Sequence, residues 1–457
     1  MTGILQFGEG NFLRAFVDTY FDTLNKEGFG PYRVTIVKPI PFGTLENFKK
    51  QDNRYHTVLR GQDENGPTER VCPIDVVDRV VDPFTERDAF FALAREEDLA
   101  LIVSNTTEAG IVYQEGDSVE NFEEMSYPSK LTLFLYERYK SGLGGLTILP
   151  CELIDNNATA LRECVRKYIV KFSLGEDFYR FNEEKNTYLN TLVDRIVSGY
   201  PRDEAVKEHL THLIGEEDCL MTIGEPFGLW AIERGGNIDT LIKEGRHNID
   251  VVITDDIAYY KKRKVRVLNG AHTGFVPMAL WQGKTFVYDA IKDEKICAFL
   301  RSMLDEIIPF VSEKTQDTRA FASDVLIRFE NPYLNHALTS ILLNSISKWI
   351  ARNMPSYLDY YAYHKTLPEK LTVGFAYLIA LYSKAKLRED GSFCAETPHG
   401  EVPLSDTKEY LLHFTNGGSV HDFLVGGIFP DELIHIPAFL PTVEELVTRI
   451  QNGEELL

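Results

Sequence analysis

The sequence predicts an α/β, Rossmann-like N-terminal domain followed by a mainly α-helical C-terminal domain. Short apolar runs alternate with helical patterns over the first part of the chain, which is typical of a parallel sheet. The first run leads directly into a glycine turn at Gly8-Glu-Gly10. Beyond Leu280, helical spacing predominates and strand candidates are few. We therefore expect two domains, residues 1–254 and residues 255–457.

The composition excludes several kinds of partner. The formal charge of −21 over 457 residues disfavours nucleic acid and anionic membranes. An anionic substrate would need a local basic pocket, because the overall field repels it. No apolar run is long enough to span a bilayer, and no secretory leader follows Met1. The six cysteines lack metal-site or redox spacing, so we expect reduced thiols in a cytoplasmic protein.

The first strand is predicted at Ile4–Phe7, and an amphipathic helix follows the glycine turn. Glycines let a backbone approach a pyrophosphate, and a helix N-terminus favours its charge. We therefore predict that the first domain binds a dinucleotide. The candidate residues run through the turn: Phe7, Gly8, Glu9, Gly10, Asn11 and Phe12. The third glycine of the usual fingerprint is missing, so an ordinary tight turn is the alternative.

The second strand, Tyr32–Val37, ends at Lys38. An acid usually stands there when the cofactor has a free ribose 2′-hydroxyl. Lys38 could instead contact the 2′-phosphate of NADP, or it could be a surface lysine. The sequence therefore leaves the choice between NAD and NADP open.

Two further strand ends carry polar side chains. Leu99–Val103 is predicted to be a buried strand, and it is followed by a loop whose candidate cofactor contacts are Ser104, Asn105, Thr106 and Glu108. A polar loop that caps a helix is the alternative. Another strand ends at Pro150, and beyond it Asn157 is by itself a plausible helix cap.

The chemistry is predicted to centre on one helix. Val251–Ile253 is predicted to be a buried strand, and a helix capped by Thr254 is predicted to continue through Leu280. At about 100° per residue, His272 lies about 80° and Asn269 about 140° around the helix from Lys264. An amine, an amide and an imidazole on one face suit carbonyl–alcohol chemistry, because a pocket lysine can carry a proton and an amide can donate to an alkoxide. The alternative is a solvated face with a core histidine.

The remainder is predicted to be helical. Helical spacing covers Ile291–Phe310, Leu334–Met354 and Leu371–Lys384. Residues Arg388–Gly400 are predicted to form a polar loop.

These motifs resemble the mannitol dehydrogenase family of polyol-specific long-chain dehydrogenases. Lys264, Asn269 and His272 match its Lys-x4-Asn-x2-His signature. Other similar segments occur in the family's order, and they are Gln6–Asp18, Cys151–Asn157, Asn190–Ile196, Glu225–Trp230 and Arg328–Pro332. The similarity extends from Ile4 to about Lys348.

The resemblance implies a metal-independent oxidoreductase that moves hydride between NAD and a carbon bearing oxygen. It implies that Lys264 is the general acid/base and that Asn157 and Asn269 contact the substrate oxygen, with Asn156 as a competitor if the register slips by one. It also implies that His272 and Asp194 hold flanking hydroxyls. Ala158, where many members have glycine, is a mild departure.

The residues around the signature resemble the uronate branch of the family, and this resemblance implies interconversion of tagaturonate and altronate. Ser340 stands where the polyol enzymes have an arginine, and eight residues later Lys348 is placed to engage a carboxylate. His336 is a further polar candidate for substrate binding.

Other functions remain as alternatives. Within the family these are a fructuronate reductase and a mannitol or polyol dehydrogenase. A short-chain-type dehydrogenase would use a Tyr-x3-Lys pair, and both Tyr136/Lys140 and Tyr260/Lys264 have that spacing, although the missing glycines and the long helical half argue against it. A non-catalytic dinucleotide sensor is the last alternative. The oligomeric state stays open.

Overall fold

The computed structural model describes residues 1–63, 65–107, 109–243, 245–246 and 249–457. The chain divides into two compact units. The first unit comprises Met1–Gly61 and Thr68–Ile257, and the second comprises Gln62–Pro67 and Ala258–Leu457. Each unit is described by itself below.

The first unit is built on a six-stranded parallel sheet with the order β5-β2-β1-β6-β7-β8. The order reverses between β1 and β6, as in a dinucleotide-binding sheet. The predicted Rossmann-like fold is confirmed. The six strands of this sheet are β1 (Thr2–Phe7), β2 (Tyr32–Val37), β5 (Val77–Val81), β6 (Leu99–Ser104), β7 (Thr147–Pro150) and β8 (Thr187–Tyr188), and the intervening β3 (Tyr55–Asp63) and β4 (Gly66–Ile74) belong to a smaller sheet.

Both faces of this sheet are buried, which explains why its strands are continuous apolar runs. Alternate residues of a strand point to opposite faces. In β1, Ile4 joins one apolar cluster with Phe16 and Tyr20. Leu5 and Phe7 join a second cluster, which includes residues of the helices on the other side of the sheet.

Two smaller sheets complete the strands of the first unit. Their orders are β10-β11-β3-β4 and β13-β14-β12-β9. The additional strands are β9 (Thr191–Asp194), β10 (Val197–Gly199), β11 (Thr222–Gly224), β12 (Leu229–Glu233), β13 (Gly245–Arg246) and β14 (Asp250–Thr254). The helices of this unit are α1 (Asn11–Leu13), α2 (Thr19–Lys26), α3 (Glu46–Lys50), α4 (Arg87–Leu93), α5 (Tyr127–Lys140), α6 (Asn157–Lys171), α7 (Glu176–Lys185), α8 (Glu204–Ile214) and α9 (Ile238–Leu241), with a 3₁₀ turn at Val119–Glu124.

The second unit is mainly helical, as predicted. Its helices are α10 (Ile257–Arg263, which begins at the boundary), α11 (Gly270–Trp281), α12 (Val287–Ile291), α13 (Glu294–Ile307), α14 (Thr315–Phe329), α15 (Leu338–Leu342), α16 (Ser345–Arg352), α17 (Met354–His364), α18 (Glu369–Ser383), α19 (Lys408–Thr415), α20 (Val420–Val425), α21 (Asp431–Ile434) and α22 (Phe439–Gln451), with a 3₁₀ turn at Ile308–Phe310. Every residue of α11 is buried. A helix buried all round is a core element of its domain.

A pair of glycines brings α11 and α18 into close contact. A Cβ atom on Gly374 would lie 2.5 Å from the carbonyl oxygen of Gly274. A Cβ atom on Gly274 would lie 2.5 Å from the sulfur of Met303. The two helices can cross at this distance because position 374 has no side chain, whereas the missing side chain at Gly274 lets Met303 of α13 approach α11.

The predicted polar loop at Arg388–Gly400 is wrong. The segment contains β16 (Phe393–Thr397), the central strand of an antiparallel three-stranded sheet whose other strands are β15 (Ala385–Leu387) and β17 (Gly400–Leu404). Cys394 and Ala395 are buried, whereas Glu396 is exposed. The strands have three to five residues each. Such short strands give only a weak alternating signal, which the flanking polar residues obscured.

The helix predicted to start after Thr254 is interrupted. It runs from Ile257 to Trp281, but Lys264–Asn269 is a π-helix between α10 and α11. A second π-helix, Arg14–Asp18, separates α1 from α2. π-Helical turns are rare and frequently occur at functional sites. Among the helices of the described residues, none is both long and apolar enough to cross a bilayer.

Candidate active site

The glycine turn of the first unit has one crowded and one open position. Gly8 has φ +132°, and a Cβ there would lie 3.1 Å from the Asn105 carbonyl oxygen. Its N–H donates to the Val37 carbonyl at 3.0 Å, and the Asn105 N–H donates to the Phe7 carbonyl at 3.1 Å. The turn is therefore fixed to the ends of β2 and β6. By contrast, no described atom lies within 4 Å of a Cβ built on Gly10.

The open position precedes the continuous helical stretch from Asn11 to Lys26. Gly10 is the N-cap, and no side chain caps the first backbone N–H groups. Free N–H groups beside open space form a cradle for a phosphate. The residues present therefore fit the pyrophosphate of a dinucleotide.

Arg14 fixes the shape of this turn. Its guanidinium is buried and donates to the Glu9 carbonyl at 3.1 Å and to Oδ1 of Asn11 at 2.8 Å. It also donates to the Leu220 carbonyl. Burial raises the pKa of the Glu9 carboxyl. Arg14 was not predicted as a site residue, although it follows the glycine turn by one helical turn.

The two aromatic residues of the predicted cofactor site have structural contacts. The ring of Phe7 is buried between Phe90 and Tyr127, with centroid distances of 6.1 and 4.9 Å. Only the backbone of Phe7 is therefore at the turn. Phe12 is partly exposed and stacks on Phe16 at 5.1 Å.

Lys38 is not a surface residue. It is buried, and its Nζ lies 2.7 Å from Oδ2 of Asp82. The ammonium also donates to the carbonyl oxygens of Pro41 and Gly43 at 3.4 and 3.3 Å. A 2′-phosphate would have to displace Asp82 from this ammonium. The surface interpretation is wrong, and the geometry disfavours a contact with NADP.

The loop after β6 is organised by a buried glutamate. Oγ of Ser104 donates to Glu152 at 3.1 Å, and both the N–H and the Oγ1 of Thr106 donate to it at 2.9 Å. Burial raises the pKa of Glu152. The amide of Asn105 donates to the Cys151 carbonyl at 2.9 Å. The predicted cofactor contacts Ser104, Asn105 and Thr106 are thus already hydrogen-bonded within the protein. Glu108 lies outside the described residues.

A cavity of about 300 Å³ opens where β2 and β6 end. Its lining includes Pro39, Ile40, Pro41, Thr106, Thr107 and Tyr127. In open α/β sheets, ligands bind beyond the carboxyl ends of the strands. The cavity therefore lies where a bound dinucleotide is expected.

The amide of Asn157, whose predicted role as a donor to the substrate oxygen stays a prediction, is hydrogen-bonded within the protein. Its side chain is buried, and its Nδ2 donates to the carbonyls of Pro150, Glu152 and Thr191 at 2.9, 3.2 and 3.2 Å. Its Oδ1 accepts from the N–H of Thr191 at 3.0 Å. An amide has only two hydrogens to donate, so Asn157 instead joins β7, α6 and β9.

The other first-unit candidates have different exposures. Asn156 is exposed, with φ 50° in the left-handed region. Asp194 is buried at the end of β9, opposite Leu229 of β12.

The signature residues of the second unit occupy the π-helix and the helix after it. Lys264 and Asn269 are the first and last residues of the π-helix, and both are partly exposed. A helix closed by i→i+5 bonds turns less per residue than an α-helix. The angles predicted from 100° per residue therefore do not hold between them. Within the described chain, the Asn269 side chain makes no hydrogen bond, so its amide is available to a ligand.

His272 is buried against aromatic rings. Its ring lies 4.2 Å from that of Phe329 and 5.2 Å from that of His336. Its Nε2 has no hydrogen-bond partner among the described residues. Burial lowers the pKa of His272 well below its ordinary value, and nearby His336, Arg328, Arg352 and Lys348 lower it further. The imidazole is therefore neutral at physiological pH.

The structure brings together His272, His336 and Lys348 of the second unit. Burial lowers the pKa of His336 and of Lys348. Nζ of Lys348 donates to the Ile341 carbonyl at 2.9 Å. Arg352, which the sequence analysis overlooked, donates from Nη1 to Oγ1 of Thr273 at 3.2 Å. Its position one helical turn after Lys348 was the available signal.

No group of three or more His, Cys, Asp or Glu side chains that could hold a metal ion occurs in the described ranges. All six cysteines are free thiols.

Comparison with known proteins identifies two matching family domains. Residues 2–243 match the Mannitol dehydrogenase Rossmann domain, and residues 256–391 match the Mannitol dehydrogenase C-terminal domain. The altronate oxidoreductase of Escherichia coli O17:K52:H18 is 41% identical over 467 residues, covering 99% of this chain and 94% of that protein. The altronate oxidoreductase of Shigella flexneri serotype 5b is 41% identical over 462 residues, covering 98% and 93%.

Two solved structures have the same fold. A substrate-free D-sorbitol dehydrogenase has a TM-score of 0.79 at 18% identity, covering 98% of this chain and 92% of that one. The Pseudomonas fluorescens mannitol 2-dehydrogenase in ternary complex with NAD and D-mannitol has a TM-score of 0.66 at 19% identity, covering 99% and 92%.

Proposed function

The chain belongs to the mannitol dehydrogenase family, and from that premise we propose that it is an NAD-dependent oxidoreductase that interconverts tagaturonate and altronate. The observation that carries this proposal is the 41% identity to altronate oxidoreductases over nearly the whole of both chains. The Lys264, Asn269 and His272 side chains supply the chemical groups that the reaction needs.

We propose that residues 1–254 bind the cofactor and residues 255–457 the sugar acid. The uncapped N–H groups beyond Gly10 would hold the pyrophosphate. The pairing of Lys38 with Asp82 favours NAD over NADP, since it occupies the ammonium that a 2′-phosphate would need. When bound, the nicotinamide supplies or accepts the hydride.

Lys264 would handle the proton of the reaction. In the reduction of tagaturonate it gives a proton to the oxygen of the ketone, and in the oxidation of altronate it removes the proton of the alcohol. The unoccupied amide of Asn269 donates to the same oxygen and stabilises the negative charge that develops there.

His272 would position a neighbouring hydroxyl of the substrate. Because its imidazole is neutral, it offers one donor and one acceptor nitrogen. We also assign a flanking hydroxyl to Asp194, whereas Asn157 shapes the turn after β7. Free thiols fit a cytoplasmic location, and the partner is a small sugar acid.

A spectrophotometric assay with purified protein tests the proposal. Tagaturonate, fructuronate and fructose are each supplied with NADH and with NADPH, and oxidation of the cofactor is followed. We expect the highest kcat/KM for tagaturonate with NADH. Reduction of fructose but of neither uronate would overturn the substrate assignment, and cofactor binding without reduction of any of the three would indicate a sensor.

A further inference from the structure

We propose that Arg352 and Lys348 form a carboxylate subsite in the second unit, with Arg352 as the residue that selects sugar acids over neutral polyols. The proposal rests on the proposed function only in taking a sugar acid as the ligand. Neither the family signature nor the motifs of the sequence include Arg352.

The two cations lie on the same side of one helix. They are four residues apart on α16, so their side chains lie one above the other. Ile346 and Trp349 of this helix are buried, whereas Lys348 and Arg352 are only partly buried. Both cations act electrostatically on His272, which places them beside the predicted substrate residues.

No acid of the described residues forms an ion pair with either cation, although Asp406 acts electrostatically on Lys348. Within the described ranges, neither Lys348 nor Arg352 forms an ion pair, and their only hydrogen bonds go to the Ile341 carbonyl and to Oγ1 of Thr273. Asp406 already accepts from the hydroxyl of Tyr382 at 2.5 Å and from the N–H of Ile346 at 3.1 Å. Partial burial of two neighbouring cations without an acid is unfavourable unless an anion joins them.

The arginines near the signature lysine are different. Arg263 lies 2.7 Å from Asp317, and Arg266 lies 2.5 Å from Asp359. The same unit therefore pairs these two arginines with aspartates. The missing acid at Arg352 marks this residue as one with a ligand to bind.

The groups around Arg352 suit a carboxylate. A guanidinium has five N–H donors in a planar fork that matches two carboxylate oxygens, and the hydrogen bond to Thr273 uses one of them. Thr273 follows His272, whose side chain is about nine-tenths buried and whose Nε2 has no partner in the described chain. One end of a sugar acid can thus meet Arg352 while the adjacent hydroxyl meets His272.

The experiment changes the arginine and the ligand charge together. Altronate and its uncharged amide, altronamide, are titrated by calorimetry into the wild-type protein and into Arg352→Gln. We expect wild type to prefer altronate by about 10- to 150-fold, which is the usual contribution of one charged hydrogen-bonded pair. In Arg352→Gln the preference should fall to within about threefold of unity, and Arg352→Lys should lie between them.

Two comparisons keep the result interpretable. Arg301→Gln removes an exposed arginine of the same unit and should retain the wild-type preference. Where tagaturonate is reduced, Arg352→Gln should raise KM more than it lowers kcat, because the carboxylate does not react.

The outcomes separate this proposal from the proposed function. An unchanged preference for altronate in Arg352→Gln would overturn the subsite while leaving the function intact. Equal weakening of altronate and altronamide would overturn it as well, because it would indicate a structural role in holding Thr273. Failure of altronate to bind wild type would overturn both proposals.

Discussion

The buried and partly buried lysine and arginine side chains of the two units differ in their ion-pair and hydrogen-bond partners. In the first unit, Lys38 pairs with Asp82, and Arg195 donates to the carbonyls of Ala15, Phe227 and Pro226 at 2.7, 2.9 and 3.2 Å. In the second unit, Lys348 and Arg352 act electrostatically on His272, and neither forms an ion pair within the described chain. Lys38 and Arg195 therefore fix backbone through several contacts, whereas Arg352, which uses one of its five N–H donors, has donors left for a ligand.

The largest effect is expected at Lys264. Replacing Lys264 with Ala should lower kcat for tagaturonate by about 10²- to 10⁴-fold, because positioned proton transfer is lost. Steady-state kinetics near neutral pH would measure this, with Lys262→Ala as the control because Lys262 is an exposed neighbour. Near-normal turnover in Lys264→Ala would show that Lys264 does not transfer the proton.

Substitution of Asp82 tests whether its ion pair with Lys38 stabilises the first unit. Asp82→Asn leaves the buried Lys38 without its acid, so we expect a loss of about 3 kcal/mol in the free energy of unfolding. Urea denaturation would measure it. The matched control is Asp78→Asn, whose largely exposed pair with Arg33 should contribute less than about 1 kcal/mol. Equal stability of the two variants would show that the Lys38 pair is not structural.

Substitution of Asn157 tests whether its side-chain amide has a structural or a catalytic role. Asn157→Ala should lower the free energy of unfolding by about 2 kcal/mol, because buried carbonyls lose their donor. Thermal and urea unfolding would measure this loss. At a temperature where the variant is folded, kcat should stay within about threefold of wild type, although unsatisfied carbonyls can distort the turn. A fall of kcat by about 10²-fold or more with unchanged stability would restore the role predicted from the sequence.

The smallest effect concerns a first-unit acid that forms no ion pair among the described residues. Asp18 is buried, accepts from the hydroxyl of Tyr55 at 2.6 Å, and burial raises its pKa to about 7. Between its ordinary value and about 7, the folded state therefore holds a proton that the unfolded state has lost, so stability falls as pH rises.

Asp18→Asn should remove this dependence. From about pH 6 to about pH 8, wild type should lose about 1 kcal/mol more stability than the variant. Urea unfolding at several pH values would measure the difference. If the stabilities of the two proteins changed with pH in parallel, Asp18 would not lose its proton in this range.

Much of the first unit could be predicted because its signals are local. Strand β2 has the predicted bounds, β1 and β6 differ from theirs by one to two residues at one end, and β7 ends at Pro150 as predicted. Strands buried on both faces are apolar runs, and a run is visible without knowing its neighbours. The Lys264, Asn269 and His272 spacing is likewise local.

The remaining features depend on residues that are distant in sequence. Nothing near Lys38 indicates that Asp82 will neutralise it. The amide of Asn157 is taken by Thr191, which comes from another strand. The sequence also does not show that the turn from Lys264 to Asn269 is widened into a π-helix, because the hydrogen-bond register depends on packing.

The contact between Gly274 and Gly374 limits how this enzyme can be redesigned. The Gly274 carbonyl oxygen lies only 2.5 Å from where a Cβ of residue 374 would stand, so α18 cannot take a side chain there unless α11 moves. Substitutions at Gly374 would therefore displace the helix that carries His272. New substrate preferences would have to be introduced through the partly buried side chains of α16, whose length and charge can change without a shift of the α11 backbone.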